Sequence, residues 1–249
     1  MKWIAPFTIA ALLVIAPLAT ADDVDIRDGL SHTIGDNAYN NDNVWLDYYG
    51  ANYPGTHIDL ISGGIIENLY VYKYGTLTIS GGEVRNYLEV HNYGQLTFTS
   101  GLVNNDIKLY DDAIASIAGG TVADNVYTRS NSQLTISTGS VIGDSVNAKD
   151  YSSVTISGGT ITTSLNVSEY GMIYLEGTGF MFAGNALSVG AVLSDYATYG
   201  TLTGTLADGT TLHCAVDISD SGEVAIIPEP VSIALLGLGS LILRRRKAA

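Results

Sequence analysis

A short phrase ending in glycine recurs six times along this chain. It reads ISGG from residue 61, ISGG from 79, FTSG from 98, IAGG from 117, ISTG from 136 and ISGG from 156. The closing glycines, Gly64, Gly82, Gly101, Gly120, Gly139 and Gly159, lie 18, 19, 19, 19 and 20 residues apart. Three residues before each stand Ile61, Ile79, Phe98, Ile117, Ile136 and Ile156; two residues after stand Ile66, Val84, Val103, Val122, Val141 and Ile161. A third apolar column runs Leu69, Leu88, Ile107, Val126, Val146 and Leu165. Each repeat thus offers three short apolar points separated by turns, and no run has the 3.6-residue period of a helix. The alternation of Leu77 and Ile79 with Thr78 and Ser80 is that of a strand with one buried face. One such repeat cannot bury its own apolar edge, but stacked repeats align the columns into a continuous core. The reading is an all-β, right-handed parallel β-solenoid (β-helix) over residues 58–190, about seven coils of about 19 residues, about 30 Å long at ~4.8 Å per coil.

The corners have their own columns. Asn68, Asn86, Asn105, Asn125 and Asp144 follow the glycine, where Asx side chains bond turn backbone. Tyr74, Tyr93, Tyr151 and Tyr170 recur near the opposite corner, which suggests aromatic stacking between coils. The segment 22–57, with DNAYNNDNVWLDYYGANYPG, lacks the phrase and reads as an N-terminal cap. Residues 191–227, where YGTLT from 199 echoes YGTLT from 74, read as a C-terminal β cap over the last open edge.

Between Asp22 and Ile227 stand 24 acidic residues against 6 basic ones, a net charge of -18. Such a surface has no basic patch to neutralise phosphates, which excludes nucleic acid and anionic lipid as natural partners. Divalent cations and neutral glycans suit it better. Lys2, an apolar run from Ile4 to Leu18, and the small residues Ala19 and Ala21 read as a signal peptide of residues 1–21, cleaved by signal peptidase after Ala21. Cys214 is the single cysteine, so no disulfide supports an exported fold.

Residues 228–249 make a distinct ending. Pro228-Glu229-Pro230 precedes an apolar run from Val231 to Leu243, and Arg244, Arg245, Arg246 and Lys247 follow. Thirteen residues form a helix of only about 20 Å, short of the ~30 Å hydrocarbon core, so a lasting transmembrane span would be strained. The adjoining cations would act as a cytoplasmic stop. In motif, spacing and position this ending resembles the PEP-CTERM sorting signal of Gram-negative bacteria. The resemblance implies recognition of Pro228, Glu229 and Pro230 by exosortase, a membrane-embedded processing enzyme associated with exopolysaccharide, after transient insertion in the inner membrane. The repeat body is similar to the passenger repeats of autotransporter adhesins.

Chemistry-bearing clusters are sparse. Asp111-Asp112 beside Arg129, and Glu83, Arg85 and Glu89, are the candidates for a carboxylate site of a polysaccharide lyase or hydrolase; ion pairs between neighbouring coils account for them equally. His32, His57, His91 and His213 have no ligand spacing, so no metal site is read. No cofactor is implied beyond weak surface calcium. One outward column is regular: Thr78, Thr97, Ser116, Thr135 and Thr155, with Ser80, Thr99, Ser137 and Ser157 two residues on. A flat hydroxyl array orders water or faces a sugar lattice, as in ice-binding solenoids, which it resembles; wet strand faces favour the same residues. The expectation is an exported, non-enzymatic, surface-sorted structural or adhesive protein of an extracellular polysaccharide matrix. The alternative is a carbohydrate-active enzyme on the same scaffold.

Overall fold

A computed structural model describes residues 23–37, 39–48 and 55–229. Strands too short to stand alone succeed one another with period-two burial, as in His57–Leu60 and Gln133–Ile136. They are stable because each lies in register on the equivalent strand one coil earlier. Three walls result. The first stacks nine strands from Ser31–Ile34 to Glu223–Ile227 through eight parallel pairings. The third stacks Val24–Ile26 through Thr211–Ile218, again by eight parallel pairings. A shorter second wall runs Tyr39, Ile66, Val84, Val103, Val122, Ile142 and Ile161. The molecule is a β-solenoid, and its inward side chains form one continuous apolar cluster.

The register confirms the third apolar column, all of it buried. It corrects the other two at one coil each. Leu60, not Ile61, pairs with Ile79, and Ile142, not Val141, pairs with Val122 and Ile161. Ile61 and Val141 are 38% and 39% exposed, whereas Leu60 and Ile142 are fully buried. The cause is corner length. Five residues separate Leu60 from Ile66 and Ile136 from Ile142, but four separate Ile79 from Val84. One extra residue reverses which of two adjacent apolar side chains faces inward.

Parallel stacking begins at Val24, within the stretch that the glycine phrase leaves out, so the strands Val24–Ile26, Ser31–Ile34 and Tyr39–Leu46 belong to the stack and are not merely a lid. At the other end, Met172–Phe182 runs beyond the wall, and the chain returns through Tyr199–Leu206, antiparallel to both Met172–Phe182 and Thr211–Ile218. It then rejoins the stack: Ala215–Ile218 lies on Ser164–Val167, and Glu223–Ile227 on Met172–Glu176. Tyr199 therefore occupies a different setting from Tyr74, despite the shared YGTLT. Asp208 pins the detour to the stack: its amide donates to the Ser157 carbonyl at 3.0 Å, and the Gly159 amide donates to Asp208 Oδ2 at 3.1 Å. Residues 190–192 bond the outer edge of Glu223–Ile227, so that edge of the last coil is covered.

Candidate binding surface

Of the three corners of each coil, the one after the first wall and the one after the third present contrasting chemistry. At the first, glycines let one coil approach the next closely. At the second, each coil turns through a non-glycine residue of positive φ: Asp47, Lys73, Asn92, Asp111, Ser130, Asp150, Glu169 and Asp220, with φ between 53° and 60°. A reversed turn accompanies them, as where the Gly75 amide donates to the Tyr72 carbonyl at 2.9 Å and the Gly94 amide to His91 at 3.0 Å. This corner carries side chains outward, one per coil in each column.

The column before the turn residue carries a ring ladder: Tyr72, His91 and Tyr110 lie 4.5 and 4.6 Å apart, nearly parallel. Trp45, two residues before Asp47 and in register with Tyr70, stacks on Tyr70 at 4.2 Å and reaches Tyr72 at 5.9 Å, which extends the ladder by one coil. These rings spend their faces on one another, so the ladder presents mainly edges to solvent. Burial, with the Glu89 charge nearby, pushes the phenols of Tyr72 and Tyr110 above their ordinary range. Glu89 is held below the usual carboxylate range by the hydrogen bond from His91 at 3.2 Å and by Lys108. Lys108 also lies 3.6 Å from Asp106 and 4.1 Å above the Tyr87 ring.

The column after the turn residue holds Tyr74, Tyr93, Asp112, Asn131, Tyr151 and Tyr170. Its tyrosines stack in two pairs, Tyr74 on Tyr93 at 5.4 Å and Tyr151 on Tyr170 at 5.1 Å, each within 8° of parallel. Between them Asn131 Nδ2 donates to Asp112 Oδ1 at 3.3 Å. An open cavity of about 420 Å³ adjoins the first pair, lined by Lys73, Tyr74, Asn92, Tyr93, Asp111 and Asp112. Asp111 Oδ2 accepts from the amide and side chain of Asn92 at 3.2 and 2.8 Å, and Asp150 Oδ2 from the Ser130 amide at 3.0 Å.

The structure does not assemble the carboxylate candidates into one cluster. Asp111 and Asp112 bond to Asn92 and Asn131, and neither forms an ion pair with Arg129 among the described residues. Glu83 and Arg85 lie 3.8 Å apart beside the second wall, while Glu89 lies on the third. Three histidines each meet a carboxylate: His32 with Asp28, His57 with Asp59 and His91 with Glu89. No group of three or more His, Cys, Asp or Glu side chains converges among the described residues. Cys214 is buried, which pushes its thiol up to about 12. The hydroxyl column Thr78, Thr97, Ser116, Thr135 and Thr155 is in register along the first wall. In its companion column Thr99 and Ser157 turn back to bond Ile79 and Ile136 carbonyls of the preceding coil. The Asx column forms rungs between coils, such as Asn68 to Asn43 at 2.7 Å and Asn105 to Asn86 at 3.1 Å.

Pro228 and Glu229 follow directly on the last strand. Ala19, Ala21, Pro230, Arg244, Arg245, Arg246 and Lys247 lie outside the described residues, as do the expected signal peptide and apolar tail. Among the described residues no helix is long and apolar enough to cross a membrane. Sequence reasoning missed the break in the tyrosine column, although its signal was present: Asp112 and Asn131 stand where the coil period calls for tyrosine. No protein-family profile, curated protein or solved structure matches the chain.

Proposed function

We propose that this chain is an exported structural or adhesive protein of an extracellular polysaccharide matrix, sorted to the surface of a Gram-negative cell through its C-terminal signal. The observation that carries the reading is the solenoid itself. Its outward side chains are laddered at the coil spacing into aromatic, hydroxyl and Asx columns, which suits a rigid extended contact surface. The sequence of the two ends supplies the address: signal peptidase acts after Ala21, and exosortase on Pro228-Glu229-Pro230. Catalysis has no specific support, since the carboxylate candidates are dispersed over different walls.

Fractionation of producing cells tests this. The expected result is protein in the polysaccharide-rich surface fraction, with intact mass lacking Val231 to Ala249. Glu229→Ala should leave export unchanged but retain uncleaved chain in the inner membrane. Recovery of the peptide beyond Leu243 from surface-released protein would contradict the sorting role.

A further inference from the structure

The tyrosine column is broken in a specific way. Coils that carry Tyr74, Tyr93, Tyr151 and Tyr170 fill their own layer with a ring, and each pair consumes one face of each partner. The next two layers after Tyr93 hold only Asp112 and Asn131. Three coil steps separate Tyr93 from Tyr151, roughly 14 Å at ~4.8 Å per step. The outer faces of Tyr93 and Tyr151 therefore bound two layers in which Asp112 and Asn131, hydrogen-bonded to each other, stand in place of rings. The rings bounding the gap are well exposed, Tyr93 at 53% and Tyr151 at 67%.

We propose that this notch is a glycan subsite that takes neutral pyranose rings. They lie parallel to the tyrosine rings, one against Tyr93 and one against Tyr151. The inference rests on the polysaccharide reading above and assigns it a place. A pyranose has an apolar C–H face that packs on a ring face and a rim of hydroxyls that both donate and accept; such a ring is about one coil layer thick. The floor matches that rim: the Asp112 carboxylate accepts, and the Asn131 amide does both. An aromatic ligand would match the faces but leave this polar floor unpaired, at a desolvation cost. Asp111, Asp112 and Asp150 at the floor disfavour a uronate, despite Arg129 and Lys149 on the adjoining column. The ring ladder of Trp45, Tyr72, His91 and Tyr110 is a poorer platform, because Tyr72 and His91 are stacked on both faces and only its terminal Tyr110 has a single ring partner.

The test fills the notch with the chain's own rings. Asp112→Tyr and Asn131→Tyr together would extend two pairs into a six-ring ladder, and Tyr93→Ala and Tyr151→Ala remove the walls. Binding of neutral hexasaccharides (β-1,4-linked glucose, N-acetylglucosamine and mannose) and of an oligogalacturonate is measured by calorimetry on the purified protein, with melting temperature as the folding control. Expected are binding of at least one neutral hexasaccharide, a loss of tenfold or more in each wall variant, and no binding by the filled variant, which melts no lower than the parent. Neutral-sugar binding that survives in the filled variant overturns the notch and leaves the polysaccharide reading intact. Preference for the uronate overturns the neutral assignment, and no binding of any sugar by the parent counts against both. If the filled variant fails to fold, the single Tyr151→Ala variant decides alone.

Discussion

Two of the three corners of each coil solve the same turning problem by opposite means. At the glycine corner the conformational demand coincides with close approach: a Cβ on Gly101, at φ +112°, would lie 2.7 Å from the Gly81 carbonyl oxygen and 2.8 Å from that of Gly82. No side chain fits there. At the other corner the backbone also enters the left-handed region, yet eight successive coils place a residue other than glycine there. That conformation costs a non-glycine residue of order 1 kcal/mol. The chain accepts it eight times, and the turn is the one that sets out the ring ladder and the tyrosine column. The difference separates a corner specified by packing from one free to carry surface chemistry.

Three substitutions break or sharpen this contrast. The largest effect is expected for Gly101→Ala, which combines left-handed strain with overlap on the preceding coil and should cost about 3 kcal/mol or more; chemical denaturation measures it. A loss below about 1 kcal/mol would show that the coils can separate at that corner. Next is Asp47→Asn. Asp47 is buried, Oδ1 accepts from Thr56 at 2.9 Å, and Oδ2 has no partner. Burial, with Asp25 adding repulsion, raises its carboxyl above the usual 3.8, despite the Thr56 bond and the Lys73 charge. A raised carboxyl favours the fold while protonated, and that stability is lost as pH rises through the folded value. The asparagine variant should therefore melt higher than the parent at pH 7, and the difference should vanish below the unfolded value. The smallest effect is expected for Ser130→Gly, where relief of left-handed strain is partly offset by the freedom glycine gains when unfolded. A gain under about 1 kcal/mol, at most about 3 °C, is expected.

Much of this architecture is legible in the sequence because a solenoid repeats its constraints once per coil. The glycine phrase locates the first corner, and the Leu69 to Leu165 column locates the third wall without error. What the phrase hides is corner length. Ile61 and Val141 are apolar, next to the true inward residue, and correctly spaced from glycine; only pairing with the neighbouring coil reveals that Leu60 and Ile142 face the core. Residues 24–46 are hidden for a related reason: their coil spans 26 residues, from Ser31 to His57, and lacks the glycine phrase, although it ends in the same left-handed turn at Asp47. The return of residues 215–227 to the stack is masked by a 51-residue interval between Met172 and Glu223. The tyrosine notch is least legible, because it is defined by what two coils do not carry, and that is visible only once the register is known.

A matched pair of substitutions separates this register from its one-residue alternative. Val141→Asp and Ile142→Asp alter adjacent residues of similar character in the same strand, Val141–Ile142. One side chain is 39% exposed and the other fully buried between Val122 and Ile161. An unpaired charge in the dry column costs several kcal/mol, whereas one at the surface costs little. Thermal unfolding followed by circular dichroism should show Val141→Asp melting within a few degrees of the parent and Ile142→Asp failing to fold. The reverse order, with Ile142→Asp tolerated and Val141→Asp destructive, would contradict the stacking described here.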